Sequence, residues 1–156
     1  MSLVSYEQAL SRLAAYCSRS EKCLQDVKNK LDKWGVSSED KLLIIQDLRR
    51  NKFLNEERYA FAFVRDKSRI NGWGRVRITL ELKRKNIPTE IIVQALNEIS
   101  LEEVTNQLIA LLERKQKSIK AQNEFEARRK LMRFAAGRGF SLEDIERVMK
   151  KIKKQE

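Results

Sequence analysis

Histidine is absent from all 156 residues, and the chain holds one proline, five glycines and two cysteines. Without an imidazole it lacks the side chain that most often moves protons at neutral pH and most often binds transition metals. Cys17 and Cys23 are too few to build a zinc site alone, so no metal and no cofactor is expected. Six positions apart, they fall on different faces of a helix or across a helix break, and they read as reduced thiols used in packing. No apolar run approaches the roughly 18 residues needed to cross a membrane, and the first turns carry neither the basic nor the apolar region of a secretory leader. A cytoplasmic protein is therefore expected, and Met1-Ser2-Leu3 carries no weight. Gly72-Trp73-Gly74 lacks the third glycine and the preceding strand of a nucleotide fingerprint, and no G-K-[ST] loop occurs, so a structural turn is expected there. The 22 acidic residues lie mostly beside bases on helix surfaces, as Glu81 does with Arg77 and Lys85, which leaves no catalytic constellation and predicts a protein that is not an enzyme.

What remains is rich in helix formers: 42% hydrophobic and 35% charged residues with few breakers predict an all-α fold. Ser5 with Gln8 reads as a capping box before Ala9, Leu10, Leu13, Ala14 and Cys17. Ser18 with Glu21 repeats that start signal, with Leu24, Val27, Leu31 and Trp34 as the stripe and Gly35 as a left-handed cap. Ser37 or Ser38 opens a third helix with Leu42, Ile44, Ile45 and Leu48 inward. Asn55 caps a fourth, in which Tyr59, Ala60, Phe63 and Val64 form one apolar face. Residues 76 to 85 alternate as a strand would, with Val76, Ile78, Leu80 and Leu82 apolar. Pro88 opens a helix with Ile91, Ile92, Ala95, Leu96 and Ile99, and Ser100 with Glu103 caps another with Val104, Leu108, Leu111 and Leu112. Residues 114 to 123 are extended helix or a loose hinge. Ala127, Leu131, Phe134 and Ala135 mark the eighth helix. Ser141 with Asp144 starts the ninth, with Leu142, Ile145, Val148, Met149 and Ile152 buried and Lys150, Lys151, Lys153 and Lys154 at its end.

A repeat resolves the ambiguous fifth element. Leu31-x3-Gly35-Val36 recurs as Leu82-x3-Asn86-Ile87 and as Ala135-x3-Gly139-Phe140, at a period near fifty residues, which implies a repeated supersecondary unit. By its correspondence with the second and eighth helices, the fifth element is helical. Three tandem three-helix repeats follow, over residues 5–55, 56–100 and 101–156, forming an elongated, curved array.

Thirty-three basic residues against 22 acidic ones leave a net charge of +11, which favours polyanionic partners such as nucleic acid or a filament that carries it. The cations concentrate in two stretches. One holds Arg65, Lys67, Arg69, Arg75, Arg77, Lys83, Arg84 and Lys85. The other spans residues 114 to 138 and includes Lys120, Arg128, Arg129, Lys130 and Arg133. Side chains sharing a helix face there can reach phosphates or an acidic protein groove. Trp73 reads as turn packing ahead of base stacking, and Trp34 as a core or cap contact.

The stretch Leu54-Asn55-Glu56-Glu57-Arg58-Tyr59-Ala60-Phe61-Ala62-Phe63-Val64 resembles L-N-D-x-R-F-A-x-x-F-V of the RecX family, and Gly74-Arg75-Val76-Arg77-Ile78-x-x-Glu81-Leu82-x-x-Lys85-Asn86-Ile87 resembles its G-x-x-R-I-x-x-E-L-x-x-K-G-I. Cys17-Ser18-Arg19-Ser20-Glu21 is similar to the family's R-x-R-S-E-x-E-L segment. Glu56 stands where the family has aspartate and Asn86 where it has glycine; charge and left-handed tolerance survive both changes. On this resemblance Leu54, Asn55, Arg58, Tyr59, Ala60, Phe63, Val64, Gly74, Ile78 and Leu82 are structural. The resemblance implies a monomeric modulator of the RecA recombinase that lies in the groove of the RecA filament on single-stranded DNA. It would restrict filament growth or promote filament loss, lowering strand exchange, ATP hydrolysis and coprotease action in recombination, DNA repair and the SOS response. The alternative is a helix-turn-helix protein acting on DNA without RecA, since Ala135-x3-Gly139-x5-Ile145 has the spacing of such a turn. Acidic starts, Glu90 in the sixth helix and Glu143 with Asp144 in the ninth, weigh against phosphate contact there.

Overall fold

The structure, a computed structural model, describes residues 4–155, with the side chains of 4–152; Met1-Ser2-Leu3 and the side chains of Lys153 and Lys154 lie outside the described residues. Among the described residues there are nine helices: α1 Tyr6–Arg19, α2 Leu24–Lys33, α3 Ser38–Arg50, α4 Glu56–Arg69, α5 Arg75–Arg84, α6 Thr89–Leu96, α7 Leu101–Gln116, α8 Glu124–Gly137 and α9 Leu142–Gln155. None is long and apolar enough to cross a membrane.

The caps are built by short-range hydrogen bonds. Ser5 Oγ accepts from the Gln8 N–H at 3.2 Å while Gln8 Oε1 accepts from the Ser5 N–H at 3.0 Å, a complete capping box. Ser37, Asn55, Ser100, Asn123 and Ser141 each accept from the backbone N–H three residues on. A cap of this kind is worth about 1 kcal/mol. One expected start is overturned: α1 runs through Ser18, whose hydroxyl donates to the Ala14 carbonyl at 2.8 Å, and α2 begins only after Cys23. There the Asp26 carboxylate accepts from the Cys23 N–H at 3.4 Å, so the box closes five residues later than the Ser18 signal suggests.

The fifty-residue repeat is a repeated helix ending. Val36, Ile87 and Phe140 donate their N–H to the carbonyls of Leu31, Leu82 and Ala135 at 3.1, 3.1 and 3.2 Å, and Gly35, Asn86 and Gly139 donate to Asp32, Lys83 and Ala136 at 3.1, 2.9 and 3.0 Å. Paired bonds of this kind define the Schellman motif, with φ of 68°, 59° and 93° at Gly35, Asn86 and Gly139. The flanking apolar residues are all buried, because the turn that satisfies the last carbonyls also folds the next side chain back onto the core. A fourth copy closes α3: Phe53 donates to Leu48 at 2.8 Å and Lys52 to Arg49 at 3.1 Å, with Lys52 at φ 64°.

The helices gather into two compact units, one comprising the residues up to Ala62 with Leu82–Ile92, the other Phe63–Glu81 with the residues from Val93 on. In the first, α1 and α2 pack on α3, and Leu13, Val27, Leu31, Ile44 and Leu48 are fully covered, each worth roughly 1.5–3 kcal/mol relative to exposure. In the second, α7, α8 and α9 pack on one another, with Leu108, Leu112, Ile145 and Val148 buried. Leu42, expected inward, is 64% exposed. It sits two positions from Ile44 and therefore on the opposite face of α3. Leu142, also expected inward, is 64% exposed, because as the first residue of α9 its side chain leans beyond the helix end. α5 is helical as its repeat requires: Ile78 and Leu82, four apart, are fully buried, while Val76 and Leu80 are about half exposed.

Candidate functional site

The residues of the central motif serve the interior. Leu54, Tyr59, Ala60, Val64, Ile78 and Leu82 are buried. Arg58, although exposed, gives its Nε to Glu21 at 2.8 Å and its Nη2 to the Lys52 carbonyl at 2.8 Å, which ties α4 to the left-handed residue that ends α3. Gly74 and Gly139 meet backbone to backbone: the Gly139 carbonyl accepts from the N–H of Val76 at 2.9 Å, and a Cβ on Gly74 would lie 2.4 Å from the Gly139 carbonyl atoms.

Several cations of the first basic stretch are internal ties. Arg75 Nη2 forks onto Asp144 at 2.8 and 2.9 Å, and Arg147 reaches the same carboxylate at 2.9 Å, while the Asp144 side chain is wholly buried. Burial alone would push the Asp144 carboxyl up; hydrogen bonds from Arg75 and Arg147 outweigh it and hold the carboxyl below the ordinary range. Arg69 pairs with Glu103 at 2.8 Å. Lys85 pairs with Asp26 at 2.8 Å; that hydrogen bond raises Lys85, and Asp26 is lowered because the bonds from Lys85 and Cys23 overcome its burial. Arg77 stacks 3.9 Å from the centre of the Trp73 ring, Lys67 lies 4.8 Å from it, and Phe63 meets it edge-on at 6.2 Å, so Trp73 is turn packing. Arg65, Lys83 and Arg84 are exposed.

The second stretch lines a groove. α7 ends at Gln116, residues 117–123 connect, and α8 starts at Glu124, so the basic run is part helix and part connector. Between them lies an open groove of 470 Å³ lined by Lys115, Ser118, Ile119, Lys120, Lys130, Arg133 and Phe134. Lys130 Nζ donates to the Lys120 carbonyl at 2.6 Å and sits 3.2 Å from Glu126. Glu126 also accepts from the Gln122 N–H at 3.1 Å; that bond, then Lys130, lowers its carboxyl. The connector is thereby pinned to α8. Lys115 Nζ lies 5.0 Å from the centre of Phe134 and the Arg138 guanidinium 5.6 Å from it. Lys120, Lys130 and Arg133 belong to the basic face expected from the sequence; Lys115 falls in the same basic stretch, and Phe134 reads from the sequence as a core position of the eighth helix. Arg128 falls outside, lining a separate 70 Å³ cleft with Gln116, Glu124, Leu131 and Met149, and Arg129 is exposed on α8. Among the described residues no group of three or more His, Cys, Asp or Glu is placed to hold a metal.

The architecture defines an all-α protein of tandem three-helix units whose second helices end in left-handed caps, with cationic surfaces. Sequence models of the RecX second and third three-helix domains match residues 55–96 and 102–149. The chain belongs to the RecX family. It is 28% identical over 151 residues to the regulatory protein RecX of Bacillus cytotoxicus, covering 97% of this chain and 54% of that one, and 29% identical over 125 residues to that of Pelodictyon phaeoclathratiforme, covering 80% and 76%. The chain spans about half the length of the Bacillus relatives it matches. Two solved structures share the fold. RecX from Lactobacillus salivarius superposes with a TM-score of 0.88 at 20% identity, covering 95% of this chain and 96% of that one, and another regulatory protein RecX with 0.84 at 23%, covering 93% and 73%.

Proposed function

We propose that this chain regulates RecA by binding its filament on single-stranded DNA as a monomer in the cytoplasm, limiting filament growth and with it ATP hydrolysis and strand exchange in recombination, DNA repair and the SOS response. Membership of a family whose curated members are named regulatory proteins carries this reading. The exposed cations Arg65, Lys83 and Arg84 and the groove of Lys115, Lys120, Lys130 and Arg133 support it, because a filament on DNA is a polyanion. The duplex-reading alternative is disfavoured by the start of α9: Asp144 and the Gly139 carbonyl are engaged with Arg75 and the Val76 N–H, so that helix end is committed to internal packing.

The test is ATP hydrolysis by RecA from the same source on single-stranded DNA, with this protein added well below one molecule per protomer at two salt concentrations. Inhibition at substoichiometric ratios that weakens with salt is the expected result. No inhibition at equimolar folded protein would refute it.

A further inference from the structure

The geometry points to the groove between α7 and α8 as a seat for the phosphodiester backbone of a single DNA strand, bound without regard to sequence. Cations converge on it from three elements: Lys115 from α7, Lys120 from the connector, Lys130 and Arg133 from α8. Glu126 is already satisfied by the Gln122 N–H and Lys130, and Lys120 and Arg133 have no carboxylate within 4.0 Å among the described residues. Glu126 offsets Lys130, while Lys115, Lys120 and Arg133 set three further like charges around one concavity, which favours the entry of a polyanion. The connector that carries Lys120 is held in place by the bond from Lys130 to its carbonyl, which presents a shaped groove in place of a mobile basic loop.

Shape and chemistry select the strand. At 470 Å³ the groove has the size of a small-ligand pocket, enough for a nucleotide unit of a flexible strand, whereas a duplex presents its phosphates on a stiff convex cylinder. Lys115 and Arg138 already engage the Phe134 ring, so the groove presents cations to phosphates more than a stacking platform to bases. Ile119 and Phe134 give the strand's sugars an apolar floor. This inference rests on the regulatory reading only for the identity of the strand.

The experiment measures binding of a labelled oligothymidylate by fluorescence anisotropy across a series of salt concentrations, without RecA. It compares the wild type, Lys120→Gln with Arg133→Gln, each single substitution, and a charge-matched control, Lys33→Gln with Arg50→Gln, on exposed positions of α2 and α3. Each single-strand phosphate contact contributes about 0.7 to the slope of log affinity against log salt, so the double variant should lose about 1.4 and each single about 0.7, with unchanged melting. The control should keep the wild-type slope. Equal losses in the control, or no loss in the groove variants, overturn the assignment to this groove. A hairpin duplex bound as tightly through the same two residues overturns the preference for a single strand. Displacement of the strand by polyglutamate at equal charge concentration overturns phosphate in favour of an acidic peptide. RecA inhibition, assayed separately, reports on the regulatory reading: its absence in the wild type sinks that reading, whereas the anisotropy outcomes judge the groove alone.

Discussion

Arg75→Ala tests whether the basic stretch of α5 builds the fold or serves only its surface. Asp144 is fully covered and accepts two bonds from Arg75 and one from Arg147. Stripping one partner from a buried ion pair costs about 3–5 kcal/mol. Here the loss is smaller, because Arg147 remains and the Arg75 side chain is 36% exposed, so water reaches part of the vacated space. Loss of hydrogen bonds to a charged group, about 1.5–3 kcal/mol, is the better guide, and roughly 2 kcal/mol corresponds to a fall in Tm of about 4–8 °C for a chain of this length. Arg75→Lys should recover only part of this, since an ammonium cannot fork across both oxygens. The pH dependence has a definite sign. Asp144 is lowered in the folded state, so its contribution is present above the ordinary carboxylate range near 3.8 and is lost as pH falls through its lower folded value. Without Arg75 that folded value rises, and stability should begin to fall at a higher pH. Thermal melts followed by circular dichroism from pH 3 to 7, on Arg75→Ala, Asp144→Asn and the double variant, decide it. A melting point within about 1 °C of wild type, or additive single losses, would refute the clamp.

Gly139→Ala should destabilise by about 3 kcal/mol or prevent folding, because the residue has φ 93° and its Cβ would meet the Arg77 Cβ at 2.2 Å; urea denaturation measures it, and a near-wild-type midpoint would contradict the close approach. Lys52→Gly should stabilise by about 0.5–1 kcal/mol, since glycine adopts the φ of 64° at Lys52 without the Cβ clash while the backbone bonds of the cap remain, and an unchanged or lowered urea midpoint would count against it. Cys23 is buried, and burial pushes its thiol up to about 11, so a disulfide reagent at pH 8 should react slowly with the native chain and rapidly in denaturant. The same shift contributes stability that is present below about 9 and lost as pH rises through about 11, visible as a fall in Tm of the wild type that Cys23→Ala lacks.

By itself the sequence determined whatever depends on neighbours within one turn or two. Ser5 with Gln8, and the caps at Ser37, Asn55, Ser100 and Ser141, are legible because donor and acceptor stand three residues apart. The left-handed endings at Gly35, Asn86 and Gly139 show through residue type and period, which also resolved α5 against its alternating pattern. Lys52 takes the same conformation unannounced, because lysine carries no conformational signal and the turn is imposed by Phe53 and Leu54 returning to the core. Ser18 gave a false start for the opposite reason: a hydroxyl that can cap a helix can also bond back to Ala14, and the packing of Cys17 and Cys23 chose between them. Only the tertiary structure decided which cations are ties and which face solvent. Arg75 finds Asp144 across 69 positions, Lys85 finds Asp26 across 59, and the groove joins Lys115 to Lys130 and Arg133. Charge along a chain is a local count, whereas the field at a groove depends on which helices fold beside one another, and that is settled by the burial of Leu108, Leu112, Ile145 and Val148 rather than by the charges themselves.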